Sequence, residues 1–314
     1  IADHYGRWYD LPVDAREVAV TTGASGAFVL VFLAAFDVGD RVAGVRPGYP
    51  ASRNVLRALA IDVVDVPAGA DTGFEPTPAL LDAVVAEHGP LHGLVLASPA
   101  NPTGSMVDRT RLAALVDWCR EHDVRLISDE IYHGITYPAD PSARGARGTS
   151  AWELDRSTVV VSSFSKYWGM TGWRLGWALV PDDLRPAVDA LAGNVALCPP
   201  TPGQLSAIGA FTGASYAEAD ARVAALAGTR AGLLAELPRL GWGPVDPADG
   251  AFYLWAGIED RLGPHAGSPD WCRALLEEAG VALVPGTDMD PVDGRGFVRL
   301  SFAAGPEAVA AAVD

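Results

Sequence analysis

Lysine is almost absent from this chain of 314 residues, which contains 22 arginines and a single lysine, Lys166. Arginine therefore carries nearly every positive side-chain charge, and a guanidinium group keeps its proton near neutral pH. An amine can lose its proton and then condense with an aldehyde. Lys166 is thus a candidate for chemistry that arginine cannot perform, with the chance survival of one lysine as the alternative.

Cysteine, long apolar runs and positive charge are scarce as well. The three cysteines, Cys119, Cys198 and Cys272, lie far apart and never at the short spacings of zinc sites, which predicts buried free thiols. The apolar run Phe28–Phe36 is too short to cross a bilayer, and the first residues do not resemble a signal peptide. The net charge of -16 argues against binding to nucleic acid. We expect a soluble, cytoplasmic protein with no metal, nucleic-acid partner or membrane partner.

Short apolar runs alternate with longer amphipathic segments over the first two thirds of the chain, which predicts an α/β domain. Several runs are continuous in valine, isoleucine and leucine, as in strands that are covered on both faces, so we expect a mostly parallel sheet sandwiched by helices. The predicted strands are Glu17–Thr21, Arg41–Val45, Ile61–Val66, Gly93–Ala97, Val124–Ser128, Thr158–Ser162 and Leu175–Val180, and the predicted helices include Gly26–Phe36, Thr77–Glu87 and Arg109–Glu121.

The last third of the chain has a different pattern, which predicts a second, smaller domain. We expect a large α/β domain over residues 1–214 and a small C-terminal α+β domain over residues 215–314. Ligands of open α/β sheets bind beyond the carboxyl ends of the strands, so polar residues at those ends are functional candidates. The small domain is predicted from the largely helical stretch Pro199–Leu237, strands at Ala251–Trp255 and Gly296–Phe302, and a helix at Pro269–Ala279.

Three turns after predicted strands have residues that suit a ligand. In Thr21–Ala27, small residues precede a helix, whose first N–H groups and the Ser25 hydroxyl could bind a phosphate, although a capping turn has the same composition. Tyr49 lies between prolines and could stack on a flat ring or simply occupy a stiff turn. Asn101 could donate a hydrogen bond from its proline-fixed loop or belong to an ordinary Asn-Pro turn.

A carboxylate follows directly after the predicted strand Val124–Ser128. A charge at the end of a buried strand is costly without a cationic partner, and a protonated ring nitrogen is one such partner for Asp129. Tyr132, three residues later, could reach a neighbouring oxygen on the same ring. A helix cap for Asp129 and simple packing for Tyr132 are the structural alternatives.

The only lysine lies in the segment Ser162–Gly176, where serines flank Lys166 and Arg174 follows after a glycine-rich turn. Together with the Asn-Pro-Thr-Gly and Asp-Glu-Ile-Tyr segments before it, this segment resembles the class I/II aminotransferases, which are pyridoxal-phosphate (PLP) enzymes of fold type I like aspartate aminotransferase. The match covers essentially the whole chain, in order. It implies the fold type I large domain and a ping-pong transfer of the amino group from an L-amino acid to a 2-oxo acid.

The resemblance also implies roles for individual residues. The catalytic residues would be Lys166, Asp129 and Tyr132: the lysine binds PLP as a Schiff base and moves the α-proton, and the aspartate keeps the pyridine nitrogen protonated. Asn101 would assist Tyr132 at the phenolic oxygen, and Tyr49 would stack on the ring. The phosphate would be held by Ala24, Ser25, Ser163 and Arg174.

Arg299 is the residue that the resemblance assigns to the substrate carboxylate, with Asn101 as a second substrate contact. Strand alternation separates Arg299 from its apolar neighbours Val298 and Leu300, which fits a guanidinium that reaches into a cleft. An arginine on the surface of a strand is the alternative. No separate cationic pair marks a site for a dicarboxylate, so the sequence does not select the amino donor.

Two other functions use the same cofactor residues. One is a C–S β-lyase or another PLP reaction on α-amino acids, and the other is a non-catalytic PLP-binding sensor module, which usually accompanies a basic helix-turn-helix segment. The resemblance also implies a homodimer with a partly shared active site. Complete members begin with an additional N-terminal segment ahead of the position matched by Ile1, and in relatives that segment helps to cover the substrate.

Overall fold

A computed structural model of the protein describes residues 1–246 and 248–314. Within these residues the larger sheet has seven strands in the order β1-β7-β6-β5-β4-β2-β3. These strands are β1 (Val18–Thr21), β2 (Arg41–Arg46), β3 (Asp62–Pro67), β4 (Gly93–Ala97), β5 (Arg125–Asp129), β6 (Val159–Ser163) and β7 (Gly176–Leu179).

The strand pairing confirms the mostly parallel sheet. β2 pairs in parallel with β3 and β4, and β4, β5 and β6 continue the parallel arrangement. β7 is antiparallel to both β6 and β1, so β1 runs in the same direction as the parallel strands. The carboxyl ends of β1, β2, β4, β5 and β6 therefore meet at one edge of the sheet.

Helices cover both faces of this sheet because its central strands are apolar on both sides. Leu94 and Leu126 face one core cluster, and their neighbours Val95 and Ile127 face the other. The helices of the large sheet region are α1 (Ala2–Tyr9), α2 (Gly23–Ala35), α3 (Pro50–Ala58), α4 (Pro78–His88), α5 (Arg109–Glu121), α6 (Ala151–Leu154) and α7 (Arg185–Val195). The structure confirms the predicted α/β class.

A second, small antiparallel sheet lies in the last third of the chain. Its strands have the order β8 (Tyr253–Gly257), β10 (Phe297–Ser301) and β9 (Val284–Pro285). Leu254, Leu300 and Phe302 pack there against the helices. The helices of this half are α8 (Thr201–Ala207), α9 (Gly213–Leu240), α10 (Ser268–Ala279) and α11 (Pro306–Val313). The predicted boundary at residues 214/215 falls in the first turn of α9 and remains a prediction.

Some predicted features differ from the structure. The helix predicted from Gly26 begins at Gly23, so the small residues of the predicted turn form the first turn of α2 instead. The prediction of three buried thiols was wrong for Cys198, which is exposed because it lies in the connection between α7 and α8, while Cys119 and Cys272 are buried. Within residues 1–246 and 248–314, no helix is both long and apolar enough to span a membrane.

Candidate active site

A cavity of about 400 Å³ lies at the carboxyl ends of the parallel strands, where residues of the small sheet approach the large one. This volume is in the range of small-molecule sites. The cavity brings together nine of the ten predicted site residues, namely Ala24, Ser25, Tyr49, Asn101, Asp129, Tyr132, Lys166, Arg174 and Arg299. Residues up to 275 positions apart in sequence thus line a single space, since Ala24 and Arg299 both contribute.

Lys166 lies in the turn after β6 and is partly buried in the cavity wall. Its Nζ atom is 5.6 Å from the centre of the Tyr132 ring and 5.8 Å from that of Phe252. Burial lowers the pKa of Lys166, Asp129 acts in the opposite direction, and the charges of Arg174 and Arg299 lower it further. These effects increase the fraction of unprotonated amine, which is the form that attacks a carbonyl carbon.

Asp129 is the last residue of β5, and it faces the cavity while 9% of it is exposed. One carboxylate oxygen accepts a hydrogen bond of 3.1 Å from the backbone N–H of Ile131. Burial raises the pKa of Asp129 to about 6, although the Ile131 hydrogen bond and the Lys166 charge act against the rise. Among the described residues no cationic group lies within 4 Å of this carboxylate, so the site can accept a cation from a ligand.

Arg299 projects from β10 into the cavity and contacts residues of both sheets. One Nη atom of Arg299 donates a hydrogen bond of 2.9 Å to the amide oxygen of Asn101. The guanidinium carbon also lies 4.5 Å from the centre of the Tyr253 ring. These contacts orient the arginine, and they leave the amide nitrogen of Asn101 available to donate to a ligand.

The opposite end of the cavity is formed by the start of α2 and by Arg174. Ser25 is exposed in the first turn of this helix, where backbone N–H groups favour an anion. Arg174 is held by a hydrogen bond of 3.0 Å to the carbonyl oxygen of Thr171. A Cβ atom at Gly23 would lie 2.7 Å from a guanidinium nitrogen of Arg174, so any other residue there would displace the arginine. This end suits a phosphate group.

Ser163, the tenth predicted site residue, is buried behind the cavity wall. Its hydroxyl lies 2.9 Å from the carbonyl oxygen of Leu175 and accepts a hydrogen bond of 3.0 Å from the N–H of Ser165. Ser165 itself lines the cavity, and its hydroxyl is 2.8 Å from that of Ser163. Ser165 was not among the predicted site residues, although its position next to Lys166 was a usable signal.

Tyr49 is 48% exposed at the rim and precedes the first residue of α3. Its loop is tied to the second half of the chain, because the N–H of Gly48 donates a hydrogen bond of 3.1 Å to the carbonyl oxygen of Met289. The buried Arg46 reinforces this link through an ion pair of 2.6 Å with Asp290. The loop that positions Tyr49 therefore depends on contacts with the second half of the chain.

Comparisons with known proteins agree with this geometry. The family model for aminotransferase class I and II matches residues 1–313. The chain is 49% identical to the valine–pyruvate aminotransferase of Mycobacterium tuberculosis over 96% of this chain and 75% of that protein. It is 32% identical to the aspartate/prephenate aminotransferase of Thermus thermophilus over 100% of this chain and 78% of that protein. A crystal structure of an aminotransferase from Mycobacterium tuberculosis superposes with a TM-score of 0.93 at 47% identity, covering 99% of this chain and 78% of the other.

The chain belongs to the class I and II aminotransferase family. It is an enzyme that transfers an amino group between an amino acid and a 2-oxo acid, and members of this family depend on PLP. The sequence-based assignment to this family and reaction is therefore confirmed.

The residues that line the aminotransferase cavity suit three parts of PLP. Lys166 offers an amine with a lowered pKa, and Asp129 offers a buried carboxylate without a cationic partner within 4 Å among the described residues. The start of α2, Ser25 and Arg174 form an anion-binding end. The residues of this chain are thus complementary to an aldehyde, a pyridinium nitrogen and a phosphate.

Proposed function

We propose that this aminotransferase binds PLP through Lys166 and transfers the amino group of an apolar L-amino acid, of the valine class, to pyruvate or a similar 2-oxo acid. One observation carries the proposal. The cavity brings together the amine of Lys166, the buried carboxylate of Asp129, which has no cation within 4 Å among the described residues, and the planar guanidinium of Arg299.

The residues of the cavity would hold PLP at four points. Arg174, Ser25 and the backbone at Ala24 bind the phosphate, and Ser165 adds a hydroxyl that Ser163 supports from behind. Tyr49 would cover the ring. Asp129 would contact the ring nitrogen, and Tyr132 and Asn101 would contact the phenolic oxygen, since all of these residues line the same cavity.

The chemical roles of this chain follow from the same contacts. PLP supplies an electron sink for the charge that remains when the substrate α-proton leaves. Asp129 would hold a proton on the ring nitrogen, which the negative charge of its carboxylate favours. Arg299 would bind the substrate carboxylate and so hold the α-carbon near Lys166. The Nζ atom of Lys166 then takes the α-proton, and its lowered pKa keeps the amine in the form that can do so.

The cations of the cavity favour a substrate with an uncharged side chain. Among the described residues that line it, the cations are Lys166, Arg174 and Arg299, and each has a role that does not involve the substrate side chain. A dicarboxylate donor would leave its second carboxylate without a cationic partner, whereas apolar residues such as Ala51 and Val55 line part of the space. The relative from Mycobacterium tuberculosis is a valine–pyruvate aminotransferase, which supports the same substrate class.

The proposal includes a homodimer with two-fold symmetry, the commonest form of soluble oligomer. Apolar side chains are exposed from the end of α7 to the end of α8, with Leu197 between the two helices at 83% exposure, Leu205 in α8 at 66% and Ile208 directly after α8 at 69%. A partner subunit would cover such a surface. The cytoplasmic location stays a prediction.

A screen of amino donors tests the proposed substrate class. The purified enzyme, supplied with PLP, should be assayed with valine, alanine, aspartate and tyrosine, each with pyruvate and with 2-oxoglutarate. We expect the highest kcat/KM for valine with pyruvate, and a value for aspartate that is lower by roughly tenfold or more because one buried charge lacks a partner.

The same assay separates the alternative reactions. A β-lyase would release ammonia and pyruvate without any oxo-acid acceptor, and a PLP sensor module would show no turnover with any pair. Equal rates for aspartate and valine would contradict the proposed substrate class, and acceptor-independent ammonia release would contradict transamination as the main reaction.

A further inference from the structure

Tyr253 on β8 contacts two of the groups that the proposed mechanism uses. Its hydroxyl lies 2.9 Å from the hydroxyl of Tyr132, and its ring lies under the guanidinium of Arg299 at 4.5 Å. The strand register explains the second contact: Ser301 pairs with Tyr253 and Arg299 pairs with Trp255, so Arg299 and Tyr253 are diagonal neighbours on one face of the small sheet. Tyr253 is 7% exposed and lines the cavity.

The proton count in this pair of hydroxyls gives the hydrogen bond a direction. Each tyrosine has one proton to donate. If Tyr132 donates its proton to the phenolic oxygen of PLP, only Tyr253 can supply the proton between the two tyrosines. The Tyr132 oxygen then accepts one hydrogen bond while its own proton points to the ligand, and hydrogen bonds in such a chain strengthen one another.

Burial raises the pKa of both hydroxyls, and the positive charge of Arg299 acts against the rise in each. Both tyrosines therefore keep their protons near neutral pH, so each has one proton to donate.

We propose that Tyr253 is a positioning residue that donates its hydroxyl proton to Tyr132, and so directs the proton of Tyr132 to the phenolic oxygen of PLP, while its ring supports Arg299. This inference rests on the proposed binding of PLP at Lys166. It extends the site by a residue of the small sheet, and it separates two functions of one side chain: the hydroxyl acts on the cofactor end and the ring acts on the substrate carboxylate.

The visible absorption of the PLP-loaded protein, titrated against pH, tests the hydroxyl. A donor to the phenolic oxygen reduces the negative charge that holds the proton on the Schiff-base nitrogen, so it lowers the midpoint of this titration. Tyr253→Phe should raise the midpoint by about 0.5 to 1 pH unit, the effect of one hydrogen bond. Phenylalanine keeps the ring that supports Arg299. The KM for the amino donor should therefore change by roughly twofold or less, as for a substitution that removes no substrate contact.

A double-mutant cycle tests whether Tyr253 acts through Tyr132. Tyr132→Phe should raise the midpoint further than Tyr253→Phe, and the double variant should match Tyr132→Phe alone because the acceptor is gone. Tyr137→Phe is the matched control. The hydroxyl of Tyr137 donates a 2.6 Å hydrogen bond to the carbonyl oxygen of Ala251, and the guanidinium of Arg230 lies 5.1 Å from the centre of its ring. Tyr137 does not line the cavity. Its midpoint should equal that of the parent.

Each outcome has a distinct meaning. An unchanged midpoint in Tyr253→Phe, shifts that add in the double variant, or an equal shift in Tyr137→Phe would overturn the inference and leave the proposed function intact. If the parent protein gives no visible band with PLP, the proposed function fails, and this inference fails with it. A raised midpoint confined to Tyr253→Phe and Tyr132→Phe, without additivity, supports the hydrogen-bond chain.

Discussion

Asp129 and Glu130 are consecutive carboxylates at the end of β5, but they face opposite sides of the sheet. Asp129 faces the cavity, and the hydrogen bond from Ile131 is its one contact of this kind among the described residues. Glu130 lies away from the cavity, accepts a hydrogen bond of 2.7 Å from the N–H of Ala151, and lies 3.1 Å from the hydroxyl of Ser128, which donates to it. Burial raises the pKa of both, to about 6 for Asp129 and about 8 for Glu130.

The difference between the two lies in their partners, because both are buried. The protein itself provides two hydrogen-bond donors for the Oε1 atom of Glu130, while the Oε2 atom has no hydrogen bond among the described residues and lies 3.5 Å from Nδ1 of His133. Asp129 has one donor and lies at the edge of a cavity, where a ligand can supply a charge. Perturbed groups of this second kind are the candidates for function. We therefore expect changes on the cavity side to affect chemistry, and changes on the far side to affect stability.

Asp129→Ala should have the largest effect on turnover. Without the carboxylate, nothing on this side holds a proton on the ring nitrogen, and we expect kcat to fall roughly a hundredfold or more while PLP binding is partly retained. Steady-state kinetics and the visible spectrum of the purified variant would measure both. Near-normal transamination by a well-folded Asp129→Ala protein would remove this residue from the mechanism.

Arg299→Lys tests the proposed binding site for the substrate carboxylate in the cavity. Lysine keeps the charge but loses the planar fork that binds a carboxylate through two hydrogen bonds. A contact of this kind contributes on the order of 1.5 to 3 kcal/mol, so the apparent affinity for amino acids should fall roughly ten- to hundredfold.

The visible spectrum of the PLP-loaded Arg299→Lys protein should stay unchanged. A simple amine without a carboxylate is the control ligand, and its binding should not weaken. If the amine weakens as much as the amino acid, Arg299 is not the carboxylate anchor.

Glu130→Ala should lower stability with little effect on chemistry. The change leaves the buried N–H of Ala151 and the hydroxyl of Ser128 without their acceptor, which costs about 1 to 3 kcal/mol. Denaturant unfolding would measure this loss, and kcat should stay within about threefold of the parent because the side chain does not line the cavity. A drop in kcat as large as that of Asp129→Ala, in a stable variant, would erase the proposed contrast between the two carboxylates.

Glu130→Gln should have the smallest effect on turnover, and its effect should appear in the pH dependence of stability. The pKa of Glu130 rises from its ordinary 4.5 to about 8 in the folded chain, so the folded chain keeps a proton that the unfolded chain has lost. Stability due to this group therefore falls as the pH rises from 4.5 to about 8 and changes little above that range. The glutamine variant cannot titrate, so the difference in unfolding free energy between variant and parent should grow over this pH range. A constant difference would show that Glu130 is ionised in the folded chain.

Much of the fold and the chemistry of the site could be predicted because their signals are local. Continuous apolar runs, which are typical of buried parallel strands, predicted the strand Gly93–Ala97 with the same bounds as in the structure. The predicted ends of the other strands of the large sheet lie within about two residues of the observed ends. The site residues Asp129 and Lys166 follow such strands directly. Since the carboxyl ends of parallel strands meet, the topology alone places these side chains near one another.

The parts that were missed depend on contacts between distant segments. The hydroxyl of Tyr132 meets that of Tyr253 across 121 positions, and the ring nitrogen of His4 on the unpredicted helix α1 meets the Tyr216 hydroxyl across 212 positions. A local sequence pattern does not show that two tyrosines 121 positions apart form a hydrogen bond with each other. Ser163 illustrates the same limit, since only the path of the chain after β6 shows that Ser165 lies between it and the cavity.

Borohydride reduction followed by peptide mapping is the most direct test of the central claim that Lys166 holds PLP. The parent protein, loaded with PLP and reduced, should carry one pyridoxyl group, and it should be found on the peptide that contains Lys166. Lys166→Arg keeps the positive charge but has no amine, so it should remain unlabelled and inactive. Because Lys166 is the only lysine, the N-terminal amine is the one other amine in the chain as given. An unmodified Lys166 in an intact, PLP-treated protein, or equal labelling of Lys166→Arg, would contradict the account.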